Sequence, residues 1–387
     1  PAGGPGEPAL VIRAAKILTS AGLGAVDHGL VIVRNGKIVW VGREAEARVP
    51  EDARQVDLGD LWLVPGLVGP HSHIVSAARD LNDSVYLTNP DLRTLDVVVP
   101  GNPYLKDAVA GGVTTALLLP GSGTNLSGFG TLVKTSGKTV DDMVVRFPGS
   151  LKVAQAGNPE YYSFGVRRAM MNWNTRNTLE RGLEWARKYK AGEVEWDPYW
   201  SNFTGLLEGT IPVSVHTQIY QVVLMTITMQ GRDLGLRSFI DHGTFDGYKA
   251  GPMAKKYNVP VMNGPRQIWF DRSRARIQGC GAGWEETPGL LLGYNTDAPV
   301  LPQEDLPYQA AMALRYGARD PAATFEGITS NPAKAMMCDD VCGSIQEGLD
   351  ADLVAWTGFP LDPRSSVVRV WVRGKPVYDV EKDERRY

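Results

Sequence analysis

Val64-Pro-Gly-Leu-Val-Gly-Pro-His71-Ser-His73 is the stretch that decides the fold of this chain. The apolar run Leu61–Val68 predicts a buried strand, and two histidines two positions apart follow it. Residues i and i+2 of a strand point to the same side, so His71 and His73 can converge on one point. Neutral imidazole is the commonest protein ligand for a catalytic metal. An isolated pair of this kind more often hydrogen-bonds to loops, so the other histidines must decide.

The remaining histidines also follow apolar runs. The chain has 5 histidines, and Ile211–Val215 precedes His216 while Leu236–Ile240 precedes Asp241 and His242. The run from residue 290 to residue 296 is followed directly by Asp297. Imidazoles and a carboxylate at successive strand ends predict a metal site on the carboxyl face of a β/α barrel. His28 lies in a predicted turn, where we expect a solvated side chain.

Composition limits the class of protein. The chain has 387 residues, of which 43% are hydrophobic and 21% charged, as in a globular protein of one large and one small domain. A net charge of −3 predicts neither nucleic acid nor an anionic membrane as partner. No apolar run approaches the roughly 20 residues of a membrane span. Cys280, Cys338 and Cys342 are too few for a disulfide framework, so we expect free buried thiols.

The start of the chain leaves the compartment open. Residues 1–7 resemble a flexible leader and begin with Pro1. This start fits either a removed signal peptide, and hence export, or a shortened chain from the cytoplasm.

Both ends of the chain predict hairpins. Gly29–Val41 alternates around Asn35-Gly36, the strongest short hairpin signal, and Val367–Tyr378 repeats the pattern around Arg373-Gly374. Neither hairpin has a helix to cover its apolar face. We therefore predict a small β-sandwich domain built from residues 8–62 and 341–380, with residues 63–340 inserted as a separate domain.

The inserted part predicts a (β/α)8 TIM-like barrel, of class α/β. The strands expected after the first are Val113–Leu119, Ser150–Gln155, Ile211–Val215, Leu236–Ile240, Val259–Met262 and Leu290–Asn295. The third strand is placed at Thr131–Lys134 only because a closed barrel requires eight. Helices are expected at Arg167–Tyr189, Leu306–Tyr316 and Thr329–Met336. Residues 157–210 predict a helical excursion beside the active face, with aromatic side chains that either pack together or line a pocket or interface: Tyr161, Tyr162, Phe164, Trp173, Trp196 and Trp200.

The motifs together resemble the amidohydrolase superfamily. The chain shares P-G-L-V-x-x-H-S-H at residues 65–73, I-D-H-G-T at 240–244, N-T-D-A-P at 295–299 and T-S-N-P-A-K at 329–334. G-G-V-T-T at 111–115, the glycine-rich 120–130 and L-K-V-A-Q-A-G-N-P at 151–159 also match. The resemblance is to the branch of imidazolonepropionase-like and prolidase-like metal-dependent hydrolases.

That resemblance implies a set of metal ligands. His71, His73 and Asp297 would hold one ion, and His216 and His242 a second. Lys152 would be a carboxylated lysine that bridges both, because a carbamate is an anionic ligand whereas an ammonium is not. An ordinary lysine paired with a carboxylate is the alternative, and one ion is then expected. We expect zinc, with manganese or iron as alternatives.

The implied reaction is hydrolysis of a C–N bond in an amide, a cyclic amide, or an N-acylated or peptide substrate. A metal-bound hydroxide would attack the carbonyl carbon, with Asp297 as general base and then acid. The residues that follow strands five to seven either bind this small-molecule substrate or pack within loops: Gln218, Tyr248, Asn263 and Arg266. A deaminase, an ester hydrolase or a non-catalytic subunit is the alternative. A homo-oligomer, or pairing with a related subunit, is expected.

Three positions depart from the family pattern. Gly69 stands where the family usually has Asp, Gln218 where it has His, and Ala298 where it often has His. All three lie outside the six ligand positions. We expect altered substrate contacts, and a weakened or lost activity stays open.

Overall fold

A computed structural model describes residues 8–76, 81, 83–155, 159–160 and 165–384. The predicted leader and the aromatic residues Tyr161, Tyr162 and Phe164 lie outside these ranges. The first strands are β1 (Leu10–Leu18), β2 (Ala25–Arg34), β3 (Lys37–Arg43), β4 (Arg54–Asp57), β5 (Trp62–Pro65), β6 (Leu67–Ser72), β7 (Val113–Leu118), β8 (Leu126–Lys134) and β9 (Val144–Ala154). They are followed by β10 (Val213–Thr217), β11 (Ser238–His242), β12 (Val261–Asn263), β13 (Ile268–Asp271), β14 (Arg276–Gly279), β15 (Leu292–Tyr294), β16 (Leu353–Trp356), β17 (Val367–Val372) and β18 (Lys375–Asp379).

The α-helices lie mainly between the strands of the middle of the chain. They are α1 (Pro103–Ala110), α2 (Val140–Met143), α3 (Arg168–Lys190), α4 (Phe203–Glu208), α5 (Tyr220–Thr226), α6 (Gly251–Lys256), α7 (Cys280–Glu285), α8 (Leu306–Arg315), α9 (Pro321–Glu326) and α10 (Ser330–Ala335). The three helices expected from the sequence are confirmed as α3, α8 and α10. Among the described residues, no helix combines the length and the apolar character that crossing a bilayer requires.

Strands from both ends of the chain form one sheet. Its order is β18-β17-β16-β5-β1-β2-β3, with β4 paired to β1. The two-residue turn between β2 and β3 has φ of 51° at Asn35 and 77° at Gly36, the left-handed pair that a type I′ hairpin requires. Both expected hairpins are therefore present, as β2–β3 and β17–β18. The packing of this sheet as a sandwich, and the division of the chain into domains, stay predictions.

A second sheet of eight strands forms a nearly closed TIM-like barrel. Its order is β15-β12-β11-β10-β9-β8-β7-β6. The first predicted strand is β6, and the six later strands that the apolar runs predict are all present. The third strand is longer than predicted, and its direction was predicted wrongly. β8 runs antiparallel to both β7 and β9. The loop from Leu118 to Leu126 is too short for the crossover that a parallel strand needs, so the chain must turn back.

The barrel closes at a seam between β6 and β15. Ser72 forms an isolated parallel bridge with Ala298, and the His73 amide donates to the Ala298 carbonyl at 2.7 Å. Further along the seam, the amides of Val68 and Tyr294 donate to the carbonyls of Ile328 and Gly327. The seam thus places the end of β6 beside the residues that follow β15.

The helical excursion covers one side of the barrel. Leu179, Leu183 and Ala186 recur at helical spacing on α3 and are buried against α4 and strands β8 to β10. Trp200 packs edge-on against Phe203, with ring centroids 5.2 Å apart. Trp173 and Trp196, by contrast, are exposed. Of these aromatic side chains, Trp200 therefore packs within the segment, whereas Trp173 and Trp196 do not.

Candidate metal centre

The carboxyl ends of the barrel strands bring the six predicted ligand residues into two adjoining groups. His71 lies at the end of β6 with His73 directly after it, and Asp297 follows β15. Lys152 lies in β9, and His216 and His242 lie near the ends of β10 and β11. The parallel strands direct their carboxyl ends to the same edge, which is why residues distant in sequence meet here.

The first group has the spacing of a metal site. The Nε2 atoms of His71 and His73 are 3.1 Å apart, and Asp297 Oδ1 lies 3.1 and 3.3 Å from them. Ligands about 2.0–2.1 Å from a tetrahedral zinc ion are separated by about 3.3–3.4 Å. Among the described residues, these three form the group of histidines and carboxylates that can hold a metal ion.

The second group consists of His216 and His242. Their facing nitrogens, His216 Nδ1 and His242 Nε2, are 2.8 Å apart. The His216 Nδ1 atom also lies 3.0 Å from the Ser122 hydroxyl, whereas its Nε2 is buried without a partner among the described residues. The rings of His71 and His242 have centroids 4.8 Å apart, so the two groups are in direct contact.

Three of the histidines are oriented in the same way. The Nδ1–H of His73 donates to the Leu119 carbonyl at 2.9 Å, and that of His242 donates to the Gly264 carbonyl at 2.7 Å. His71 Nδ1 lies 2.8 Å from Asp241 Oδ2. Each ring therefore uses Nδ1 for an acceptor in the protein and presents Nε2 to the cavity, as a metal-binding imidazole does.

Burial favours the neutral form of most of these histidines. It lowers the pKa of His73, lowers that of His216 well below its usual value, and lowers that of His242 to about 4. These three imidazoles are thus neutral at neutral pH, which is the form that can bind a metal ion. Burial would also lower the pKa of His71, but the adjacent Asp241 carboxylate reverses that effect and raises it.

Lys152 is fully buried beside the first group. Its Nζ lies 3.2 and 3.4 Å from the two ring nitrogens of His71. Within the described residues it forms no ion pair, so the pairing with a carboxylate considered above is not observed. Burial lowers the pKa of this amine to about 8, against the opposing effect of Asp241 and Asp297.

Unusual backbone conformations direct two of the candidate ligands. His242 has a φ of 78° and Asp297 a φ of 52°, in the left-handed region that non-glycine residues rarely adopt. Both residues end or follow a strand. Such conformations concentrate at functional sites, where the surrounding structure holds them.

Asp241 was not predicted as part of this site. It is fully buried and contacts His71, and its Oδ2 also accepts a hydrogen bond from the Ser214 hydroxyl. In a regular strand, the side chains of residues 241 and 242 point to opposite sides. A prediction that places His242 in the metal site therefore places Asp241 outside it. The only hint in the sequence was the acidic residue directly before His242, in I-D-H.

The four predicted substrate residues differ in accessibility. The Asn263 amide donates to the His242 carbonyl at 2.8 Å, which leaves its buried Oδ1 without a partner among the described residues. Gln218 is half-buried after β10, and Arg266 is exposed with its guanidinium over the Phe245 ring, 4.8 Å from the centroid. Tyr248 is buried, and its hydroxyl donates to Asp271 at 2.8 Å.

Two of the departures from the family pattern have structural counterparts. A Cβ atom at Gly69 would lie 2.8 Å from Gln303 Nε2, so the Gln303 side chain takes up the space that a larger residue would need. Ala298 is fully buried and contributes its carbonyl to the seam. Neither position contributes a side chain to the two ligand groups.

Comparison with known proteins gives one consistent family. The sequence model of the Amidohydrolase family matches residues 289–377. The crystal structure of an amidohydrolase from Thermotoga maritima MSB8 superposes with a TM-score of 0.84 and 29% identity, over 96% of this chain and 100% of that one. This chain belongs to the amidohydrolase superfamily. Within it, the chain is similar to proteins of the imidazolonepropionase-like branch.

Two relatives show over how much of the chain the sequence similarity extends. The Cutibacterium acnes imidazolonepropionase is 24% identical over 86% of this chain and 85% of its own length. The amidohydrolase TasK of Hapsidospora irregularis is 26% identical over 91% of this chain, but the match spans only 40% of that relative's length.

Proposed function

We propose that this chain is a metal-dependent hydrolase that cleaves a C–N bond in an amide, a cyclic amide, or an N-acylated or peptide substrate. The observation that carries the proposal is the convergence of His71, His73 and Asp297 at tetrahedral spacing. The family supports it, and the similarity to a protein named imidazolonepropionase favours a cyclic amide.

The donor atoms fit one or two divalent ions. His71, His73 and Asp297 would hold the first, and His216, His242 and Lys152 would complete a second site. Imidazole nitrogens with one carboxylate suit zinc, with manganese or iron as alternatives. When bound, such an ion polarises a carbonyl as a Lewis acid and makes water more acidic.

Lys152 becomes a suitable ligand after addition of carbon dioxide. The neutral Nζ amine attacks the carbon of CO₂, an N–C bond forms, and one proton leaves to solvent, which yields an anionic carbamate. The lowered pKa of about 8 supports this step, because the neutral amine is the form that reacts. The neighbour of Nζ is the His71 ring, and among the described residues Lys152 forms no ion pair.

Asp297 is suited to transfer the proton. Burial would raise the pKa of its carboxyl group, but the nearby His242 and the contacts with His71 and His73 hold that pKa well below its usual value. The carboxylate is therefore ionised and can accept a proton from the attacking water. It then returns this proton to the leaving nitrogen.

Arg266 and Asn263 would orient the substrate at the mouth of the cavity. The Gly264 carbonyl holds His242, so the loop that carries Arg266 is anchored beside the metal ligands. An exposed guanidinium stacked on Phe245 suits a substrate carboxylate. Gln218 is a further candidate, whereas Tyr248 would first have to release Asp271.

The test combines metal content with turnover. We expect the purified chain to contain about one to two equivalents of metal and to hydrolyse at least one member of a panel of cyclic amides, N-acyl amino acids and dipeptides. A chelator should abolish turnover, and added zinc or manganese should restore it. His73→Asn should lose metal and turnover. His28 lies in strand β2 rather than in the turn expected from the sequence, and its side chain is exposed, so His28→Asn serves as the matched control. A chain that neither retains nor takes up metal would contradict the proposal and favour a non-catalytic subunit.

A further inference from the structure

Asp241 lies on the outer side of the first ligand group. One nitrogen of the His71 ring, Nδ1, is 2.8 Å from Asp241 Oδ2, whereas the other, Nε2, is 3.1 Å from both His73 Nε2 and Asp297 Oδ1. His71 and Asp241 are both fully buried, so water does not compete for this contact. The ring is thus held between a carboxylate and the group that would bind the ion.

The Asp241 carboxylate is itself held in place. The Ser214 hydroxyl donates to the same Oδ2 atom, from the neighbouring strand β10. The other oxygen, Oδ1, is buried and has no hydrogen-bond partner among the described residues. A buried carboxylate with one oxygen unpaired is costly unless its charge acts on a nearby group, and His71 is the group it contacts.

Two consecutive residues of β11 reach the same cavity from one strand. Side chains i and i+1 of a regular strand point to opposite sides. Here Asp241 contacts His71 and His242 contacts His216, and the left-handed backbone at His242 makes this possible. The I-D-H sequence therefore serves both ligand groups.

We propose that Asp241 is a positioning residue that fixes His71 in the tautomer with the proton on Nδ1, so that the Nε2 lone pair faces the metal. It is not itself a ligand, because the group with metal-binding spacing consists of His71, His73 and Asp297. Carboxylates that orient a ligand histidine in this way usually change metal affinity by about 10–100-fold when removed. The inference concerns the metal site alone, so it holds whatever substrate is cleaved.

The test measures zinc affinity and the His71 tautomer in Asp241→Asn and Asp241→Ala. Competition with a chromogenic chelator should show zinc binding weakened by about 10–100-fold in Asp241→Ala, and by less in Asp241→Asn, which keeps a neutral acceptor. In metal-free protein labelled with ¹⁵N-histidine, the His71 signal should change from one tautomer to a mixture. Wild-type zinc affinity and tautomer in both variants would overturn the proposal.

Ser214→Ala provides a second variant in case the first two fold poorly. It removes the hydroxyl that holds Asp241 but leaves the carboxylate in place, so a smaller loss of zinc affinity in the same direction is expected. Asp246→Asn, which changes a partly exposed carboxylate four residues after His242, is the matched control and should bind zinc as the wild type does. Unchanged affinity in Ser214→Ala and reduced affinity in Asp246→Asn would together contradict a specific role for Asp241.

Discussion

Two lysines on adjacent barrel strands, Lys134 on β8 and Lys152 on β9, are both fully buried but have opposite surroundings. The Lys134 ammonium lies 2.5 Å from Asp352 and 3.1 Å from Asp350. The Lys152 amine contacts the His71 ring and, within the described residues, no carboxylate. Burial pushes the pKa of both amines down. At Lys152 burial is the stronger effect and the pKa is lowered. At Lys134 the nearby carboxylates, Asp352 and Asp350, raise the pKa above its usual value despite burial.

The difference shows that partners, rather than burial, decide what a buried lysine does. Lys134 lies next to Thr115 near the beginning of β7, at the amino-terminal end of the parallel strands, where side chains of a barrel serve stability. Lys152 lies at the carboxyl-terminal face, where they serve chemistry. We therefore expect substitution of Lys134 to affect stability and substitution of Lys152 to affect activity.

The largest effect is expected from Lys152→Ala. The variant should lose nearly all hydrolytic activity and bind less metal, because it lacks the carbamate that would complete the second site. Short carboxylic acids added to the assay should restore part of the activity, since they supply the missing carboxylate. The free energy of unfolding of the metal-free protein should change little in comparison. Full activity in Lys152→Ala would remove the bridging role.

Lys134→Met should produce the reverse pattern. Loss of the ammonium leaves Asp350 and Asp352 buried without it, which should lower the free energy of unfolding by about 3–5 kcal/mol. Metal content per folded molecule should stay unchanged. Denaturant titration measures the loss, and a decrease below about 1 kcal/mol would show that the pair contributes little.

Lys37→Met is the control for that experiment. Lys37 contacts the same Asp350 carboxylate at 2.7 Å, but its side chain is 47% exposed. Because the Lys37 ammonium is largely in solvent, we expect its pairing with the buried Asp350 to contribute only about 0–1 kcal/mol. The two variants therefore separate the effect of burying the lysine from that of charge pairing. Equal losses in both would contradict the comparison.

The smallest effect is a change in the pH dependence of stability. Burial would raise the pKa of Asp350, but Lys134 and Lys37 lower it below its usual value. A carboxyl group with a lowered pKa in the folded state stabilises the protein above its unfolded pKa of about 4, and that contribution is lost as the pH falls further. Urea unfolding between pH 7 and pH 3 should therefore show acid destabilisation, with a shallower slope in Lys134→Met. Identical slopes would mean that Lys134 does not set this pKa.

The sequence predicted where the barrel strands end and which residues lie there. It predicted less well which side chains contact one another. His71, His73, His216 and His242 all follow apolar runs, and a run of this kind defines both a strand and its end. The antiparallel direction of β8 was missed because no helix separates it from β7, and the strand was placed too late in the chain. Asp241 was missed because strand alternation assigns it to the other side of β11. The Lys134 partners lie more than 200 residues away, a pairing that no local pattern can indicate.

The pairing of β5 with β16 has a consequence for how this chain is made. β5 leads through Gly66 into β6, the strand that carries His71, and the Gly66 amide donates to the carbonyl of Asp352 at 2.8 Å. Asp352 is translated long after β5, so the early strand leaves the ribosome well before the segment that fixes it. A nascent chain therefore keeps this edge unprotected for much of translation, and binding of a chaperone to the Leu61–Val68 run during synthesis would lower the risk of aggregation.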